Sequence, residues 1–367
     1  MNETIYMPVG EVCSSISDTY REKKNMVTLI NTSDVLEGRI LNHERVPNSN
    51  LKGQFKKTFQ RDDILYSEIR PQNRRFAYVD FSPIDYIAST KLMVIRAKKD
   101  VVSPKYLYYF LKNSSTVAEL QLLAETRSGT FPQITFSEVA NLTIPVPPLA
   151  VQEVIVQTMQ CLEDKTICNE QINDNLQQQA QAIYSSMFID NPDPAWSHGH
   201  LSDLITVKYG KDLKKLADGI YPVYGSGGIM RYVERPLYNK ESVLIPRKGT
   251  LNNVMYVNQP FWSVDTMFYT EMKLPNVAKF VYQFVKAKDL ASMNAGSAVP
   301  SMTTDILNAM EVVIPSASAL EEFESLVAPM YEAMEANDVQ SKALSQMRDT
   351  LLPKLMSGEI DVSDIQL

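Results

Sequence analysis

Two stretches of the chain place their apolar residues at alternating steps of three and four. In the later one, Leu320, Phe323, Val327, Met330 and Met334 lead into Asn337, Ser341 and Leu344. That spacing draws one stripe along a helix and predicts a helix from about Ala319 to Met356. Stepping back 168 positions gives Gln152, Ile155, Met159, Leu162, Thr166, Asn169, Asn173 and Leu176, inside a stretch from 149 to 188 that holds no glycine or proline. Pro148 suits the first turn of this earlier helix. The two stripes are in phase, with an asparagine at the same step in each. A helix of nearly 40 residues must bury its stripe, so the two are expected to pair, the polar step fixing register at some cost in stability. The alternative is that each helix packs separately on its own domain. Pro329 is expected to kink the second helix.

The blocks ahead of these helices follow a different pattern. Short strand-like runs, DILYSEI at 63–69, KLMVI at 91–95, SVLI at 242–245 and MFYT at 267–270, are separated by Gly, Pro, Asn and Asp. Each block also has an aromatic-rich helical piece, PKYLYYFLKN at 104–113 and AKFVYQFVKA at 278–287. The phrase SGTFPQITFSEVANLTIPVPPL from Ser128 returns as GSAVPSMTTDILNAMEVVIPSAS from Gly296, with Pro132, Thr135 and Pro147 recurring at Pro300, Thr303 and Pro315. A period of this length is no solenoid unit and indicates a duplicated domain. Asp63-Ile64-Leu65-Tyr66 answers Ser242-Val243-Leu244-Ile245, and Arg70 is set against Arg247-Lys248. Residues 1–60 do not align with 196–241. The expected organisation is a first block at 1–148, a helix at 149–190, a linker (NPDPAW) and second block at 191–316, and a second helix and tail at 317–367, an α+β fold with an internal repeat.

Composition sharpens this picture through charge. A hydrophobic share of 44% with 22% charged residues describes a globular chain. No run of 18 apolar residues and no signal-like N-terminus is present, so the expectation is a cytoplasmic protein with no membrane role. Three cysteines without C-x-x-C spacing argue against a disulfide framework or a zinc site. The net charge of −7 is uneven: the two helical stretches are strongly acidic, and the remainder is mildly basic. Residues 51–75 gather Lys52, Lys56, Lys57, Arg61, Arg70, Arg74 and Arg75. Residues 207–250 gather Lys208, Lys211, Lys214, Lys215, Arg247 and Lys248, together with Ser226 in the VYGSGG turn. Such density can neutralise phosphates, and Arg can also read base edges. For any one of these residues a solvated surface charge is the simpler reading; clustering in both copies carries the DNA-binding one. The candidate contacts are Lys56, Lys57, Arg70, Arg74, Arg75, Lys208, Lys211, Ser226, Arg247 and Lys248.

Catalytic motifs do not assemble. VYGSGG supplies a G-x-G, but no acidic residue ends the next strand, and no Asn/Asp-Pro-Pro-aromatic tetrapeptide for a flipped base is present. Asp63 with Glu68-Ile69-Arg70 approaches a nuclease motif but puts Arg where Lys is expected. Arg247-Lys248-Gly249-Thr250 lacks the upstream glycine of a phosphate loop. His198-Gly199-His200 sits in the linker without a metal-binding partner.

With its S128GTFPQI134 turn, I144PVPPLAVQEVI155, I64LYSEIRP71, Y221PVYGSGG228, V243LIPRKG249, W262SVDT266 and L351LPKLMSGEI360, the chain resembles the DNA sequence-specificity subunit of type I restriction-modification systems along nearly its whole length. The resemblance implies two target recognition domains, each contributing one half of a split double-stranded DNA site, separated by two helices that pair antiparallel as a spacer. It implies no catalysis in this chain and a scaffold for two methylation subunits, which restriction subunits then join. S-adenosylmethionine, Mg and ATP are expected on those partners only. A protein–protein adaptor or a degenerate DNA methyltransferase is the alternative.

Overall fold

The computed structural model describes residues 4–22, 24–48, 53–126, 132–293 and 301–362. Lys52 and the whole of the SGTF and GSAVP turns lie outside the described residues. Contacts divide the chain into two compact units, residues 1–168 with 339–367 and residues 169–338. The divisions fall inside the long helices, so each unit consists of one block and a part of both helices.

Those helices span Leu149–Ser185, ending in a π turn at Ser186–Asp190, and Ala317–Ser357. The second runs on through Pro329 with no interruption. Pro329 lies on the exposed side, where its ring meets solvent, while Val327 beside it is fully buried. In the first unit Ile155, Val156 and Met159 share a core with Leu352, Leu355 and Met356. In the second, Ala180 and Tyr184 share one with Phe323 and Val327, and the Tyr184 and Phe323 rings lie 6.2 Å apart. Within each unit the start of one helix therefore meets the end of the other, an antiparallel pairing. The same clusters include block residues, so each helix segment packs both on its partner and on its own block.

Both units contain the same four-stranded antiparallel sheet. In the first its order is Cys13–Ile16, Leu92–Ala97, Ile64–Ser67, Phe76–Tyr78; in the second it is Ile205–Tyr209, Met267–Met272, Ser242–Pro246, Met255–Val257. Register is kept as well. Met93 faces Tyr66 where Phe268 faces Ile245, and Ala97 faces Cys13 where Met272 faces Ile205. The aromatic helices Pro104–Lys112 and Ala278–Lys286 bury Tyr106 and Phe280 in these cores.

Each sheet is preceded by a short strand and a single helical turn: Ile5–Pro8 with Val9–Val12, and Ser197–His200 with Leu201–Leu204. The strands pair with Thr143–Val146 and Glu311–Ile314, the ends of the repeated phrase, and the turns are tied by matching bonds, Val9 N to Leu142 O at 2.9 Å and Leu201 N to Met310 O at 2.8 Å. His198-Gly199-His200 is therefore a paired strand and not linker. Its conformation comes from a tertiary partner, since SHGH has little strand propensity of its own.

The copies diverge between the shared strands. In the first unit Val46–Pro47, Met26–Ile30, Tyr86–Ser89 and Phe55–Lys57 form a second sheet over a core that includes Ile30, Phe59 and Val79. In the second unit Gly228–Val233, Asp218–Gly225 and Trp262–Ser263 form a three-stranded sheet around Val223 and Phe261. Because these lobes differ in length, the offset between matching residues falls from 192 at Cys13 and Ile205 to 179 at Tyr66 and Ile245 and 175 at Met93 and Phe268, reaching 168 only at the repeated phrase.

Candidate nucleic-acid interface

In the second unit, strand Ser242–Pro246 runs out into Arg247-Lys248-Gly249. The Arg247 backbone is held twice, its N donating to Thr266 O at 2.8 Å and its O accepting from Met302 N at 2.9 Å. Its guanidinium lies 5.3 Å from the centre of the half-exposed Tyr209 ring, and its Nη1 donates to Asp265 O at 3.3 Å. Lys248 is exposed and bridges to Ser301 through its backbone. Gly249 has φ +86°, and a Cβ there would lie 2.7 Å from Ser226 Oγ, so the turn needs glycine on two counts. Ser226 and Gly227 are the two turn residues of a β-hairpin, and the Ser226 carbonyl accepts from Asn253 Nδ2 at 2.8 Å. The G-x-G of VYGSGG is thus hairpin geometry rather than the strand-to-helix turn of a cofactor site.

These contacts gather Tyr209, Ser226, Arg247 and Lys248. Lys211 is close by: it is exposed, its N donates to Ser263 O at 2.8 Å and its O accepts from Trp262 Nε1 at 2.9 Å. Lys208 is not part of the group. It is adjacent to Tyr209 in one strand, so its side chain leaves by the opposite face, where it pairs with Glu271 at 3.7 Å.

The first unit builds the same turn from other residues. Glu68 N donates to Lys91 O at 3.0 Å, and Glu68 O accepts from Ile134 N at 2.9 Å, the two bonds that hold Arg247. Glu68 is therefore the counterpart of Arg247, and Arg70, with φ +46°, is the counterpart of Gly249. The sequence alignment of Arg70 with Arg247 is two residues out, because a shared left-handed backbone leaves no mark in side-chain character. Glu68 pairs with Lys91 at 3.4 Å, and Lys91 Nζ also donates to Gln133 Oε1 at 3.3 Å.

Other basic candidates of this unit are engaged with their own chain. Arg74 donates to Lys112 O at 3.3 Å, pairs with Glu37 at 3.2 Å and lies over the Phe76 ring; Arg75 donates to Ser33 O at 3.0 Å and Val35 O at 3.3 Å. Lys57 Nζ donates to Leu92 O at 2.8 Å, and burial lowers its pKa against the opposing pull of Glu68. Lys56, its neighbour on the strand, faces solvent. Sequence reasoning overlooked Tyr209 and Lys91 as companions of these turns; an aromatic one step from Lys208 was the available signal.

Asp63, part of the nuclease-like run, is fully buried with both oxygens on Arg96, at 2.7 Å each, and one also accepting from Gln60 N. It is a structural anion. Among the described residues no group of His, Cys, Asp or Glu is arranged to hold a metal ion, and no helix is long and apolar enough to cross a membrane.

The family model for the type I restriction modification DNA specificity domain matches residues 6–178 and again 195–323. The chain belongs to this family. The two matches fall on the two copies of the shared sheet. Among curated relatives, the HindI specificity subunit of Haemophilus influenzae is 27% identical over 91% of this chain and 94% of its own length. The MjaIX specificity subunit of Methanocaldococcus jannaschii is 24% identical over 77% of each chain. In fold, the chain is similar to the type I restriction-modification S subunit of M. genitalium, with a TM-score of 0.53 at 17% identity over 97% and 96% of the two chains. A chain from a structure of type I R-M complex assembly gives 0.50 at 15% over 97% and 98%. As a specificity subunit, the chain recognises DNA sequence and is not itself the enzyme.

Proposed function

We propose that the first block reads one half of a split double-stranded DNA site and the second block the other, the paired helices setting the number of unread base pairs between them. The chain serves two methylation subunits as a scaffold, and restriction subunits join that assembly. S-adenosylmethionine, Mg and ATP are used by those partners. The observation that carries this reading is the duplication itself: one sheet, one register and one docking of the repeated phrase support two unlike lobes. A shared scaffold with divergent lobes suits two reading heads that take different sequences. Internal repetition also offers two equivalent surfaces to two identical partners.

The test is the methylation pattern of a host with and without the gene, followed by a helix deletion. One bipartite motif with an unread gap should appear. Removing seven residues from each long helix shortens each by roughly 10 Å and should shorten the gap by about three base pairs while both half-sites stay the same. A continuous motif, or half-sites altered by the deletion, overturns the reading.

A further inference from the structure

The most informative position is the one the two copies share in backbone and oppose in charge. Arg247 and Glu68 each follow the same strand and are clamped by the same pair of backbone bonds, one to the neighbouring strand end and one to the repeated phrase. Their surroundings differ. The Arg247 guanidinium lies over the Tyr209 ring at 5.3 Å, a cation–π contact, and the Asp265 carbonyl takes one of its five donors. Glu68, its side chain 20% exposed, instead pairs with the half-exposed Lys91, whose long flexible stem lets the ammonium leave for solvent while the carboxylate stays in place.

We infer that this shared position determines specificity in both half-sites with opposite polarity: Arg247 donates its fork to a guanine edge, and Glu68 accepts from the amino group of a cytosine. The inference rests on the bipartite reading proposed above. Three features support it. The backbone is over-determined, so the side chain starts from a fixed point, as a base reader requires. Arg247 lies over the Tyr209 ring and, among the described residues, its side chain donates only to the Asp265 carbonyl, which leaves donors of the fork for bidentate recognition of guanine O6 and N7. The partly exposed Ser226, the exposed Lys248 and the Gly249 turn adjoin it, supplying polar and cationic groups for the neighbouring phosphates. In the first unit the cation beside Glu68 is Lys91, which stands where the second unit has Thr266 and moves onto phosphate when the carboxylate engages a base.

The test selects bound duplexes from a randomised bipartite library, using the chain in complex with its methylation partner. Wild type must first select a split motif; if it does not, the function reading fails and this inference is not at issue. Arg247→Ala should lose preference at one position of one half-site by roughly ten- to a hundred-fold, leaving the other half-site intact. Arg247→Lys keeps the charge but not the fork, and should relax the same position. Glu68→Gln should change one position of the opposite half-site only. Uniform weakening on all sequences with rescue by Arg247→Lys would make Arg247 a phosphate contact and overturn the proposal, as would an unchanged motif. Thermal melting of the conservative variants, expected to match wild type, separates a lost reading from a lost fold.

Discussion

The two blocks solve one structural problem with different chemistry at matching positions. Strand Ile64–Ser67 is entered through Asp63, a buried carboxylate neutralised by Arg96, whereas its counterpart strand starts with Ser242, whose Oγ donates to Thr270 O at 2.8 Å and accepts from Thr270 N at 2.9 Å. The turn after the strand is left-handed in both, at Arg70 in one and Gly249 in the other. What is preserved is backbone register and the docking of the repeated phrase; what varies is whichever side chain can satisfy that backbone. The lobes pack on this scaffold rather than apart from it: Leu65, Leu92 and Val94 of the shared sheet are buried in the first lobe's core, and Leu244, Met267 and Tyr269 in the second's.

The largest expected asymmetry is at the strand entry. Asp63→Ala leaves Arg96 without its partner beside a buried site and should cost about 3 to 5 kcal/mol, while Ser242→Ala removes a neutral hydroxyl pair and should cost about 1 to 3 kcal/mol. Chemical denaturation of the two variants measures both, and equal losses would break the comparison.

At the left-handed turn, Gly249→Ala meets both a positive φ and the Ser226 hydroxyl and should cost about 1 to 2 kcal/mol. Arg70→Gly relieves the same conformation in the other copy and should stay within about 1 kcal/mol of wild type, since glycine also loosens the unfolded chain. If Arg70→Gly proves as damaging as Gly249→Ala, the two turns are not equivalent.

A subtler contrast separates the helix seam from the cores. In the second unit Asn169 Nδ2 donates to Asn337 O at 3.4 Å, Asn337 Nδ2 to Asn173 Oδ1 at 2.8 Å, and Asn173 Nδ2 to Asp338 Oδ1 at 2.8 Å. Replacing Asn169 and Asn337 together by Leu should raise stability by about 1 kcal/mol or more while admitting other registers or oligomers, visible by size-exclusion chromatography with light scattering. The smallest effect concerns thiols. Burial pushes Cys13 up to about 12, so at pH 8 it should resist alkylation, while the exposed Cys161 and Cys168 react, giving two labels by mass spectrometry.

The helices were legible because amphipathic periodicity over some 40 residues is a local signal, and the fixed offset alone sets Asn169 against Asn337, which the structure joins by a hydrogen bond. The strands at Ile5–Pro8 and Ser197–His200 were not legible, because neither has an alternating pattern and both depend on pairing with the far end of their block. The candidate interface was legible as clusters of charge but not as geometry. Lys208 and Tyr209 sit on opposite faces of one strand, Arg74 and Arg75 turn onto their own backbone, and Glu68 proved the counterpart of Arg247 only once hydrogen bonds replaced sequence spacing.

The central claim, that each block reads its own half-site, is tested most directly by exchange. Residues 195–316 are replaced by the matching block of the Haemophilus influenzae relative, and the methylated motif is determined in the host. The account predicts that one half-site changes to a new sequence while the other half-site remains. A motif changed in both halves, or in neither, would contradict it.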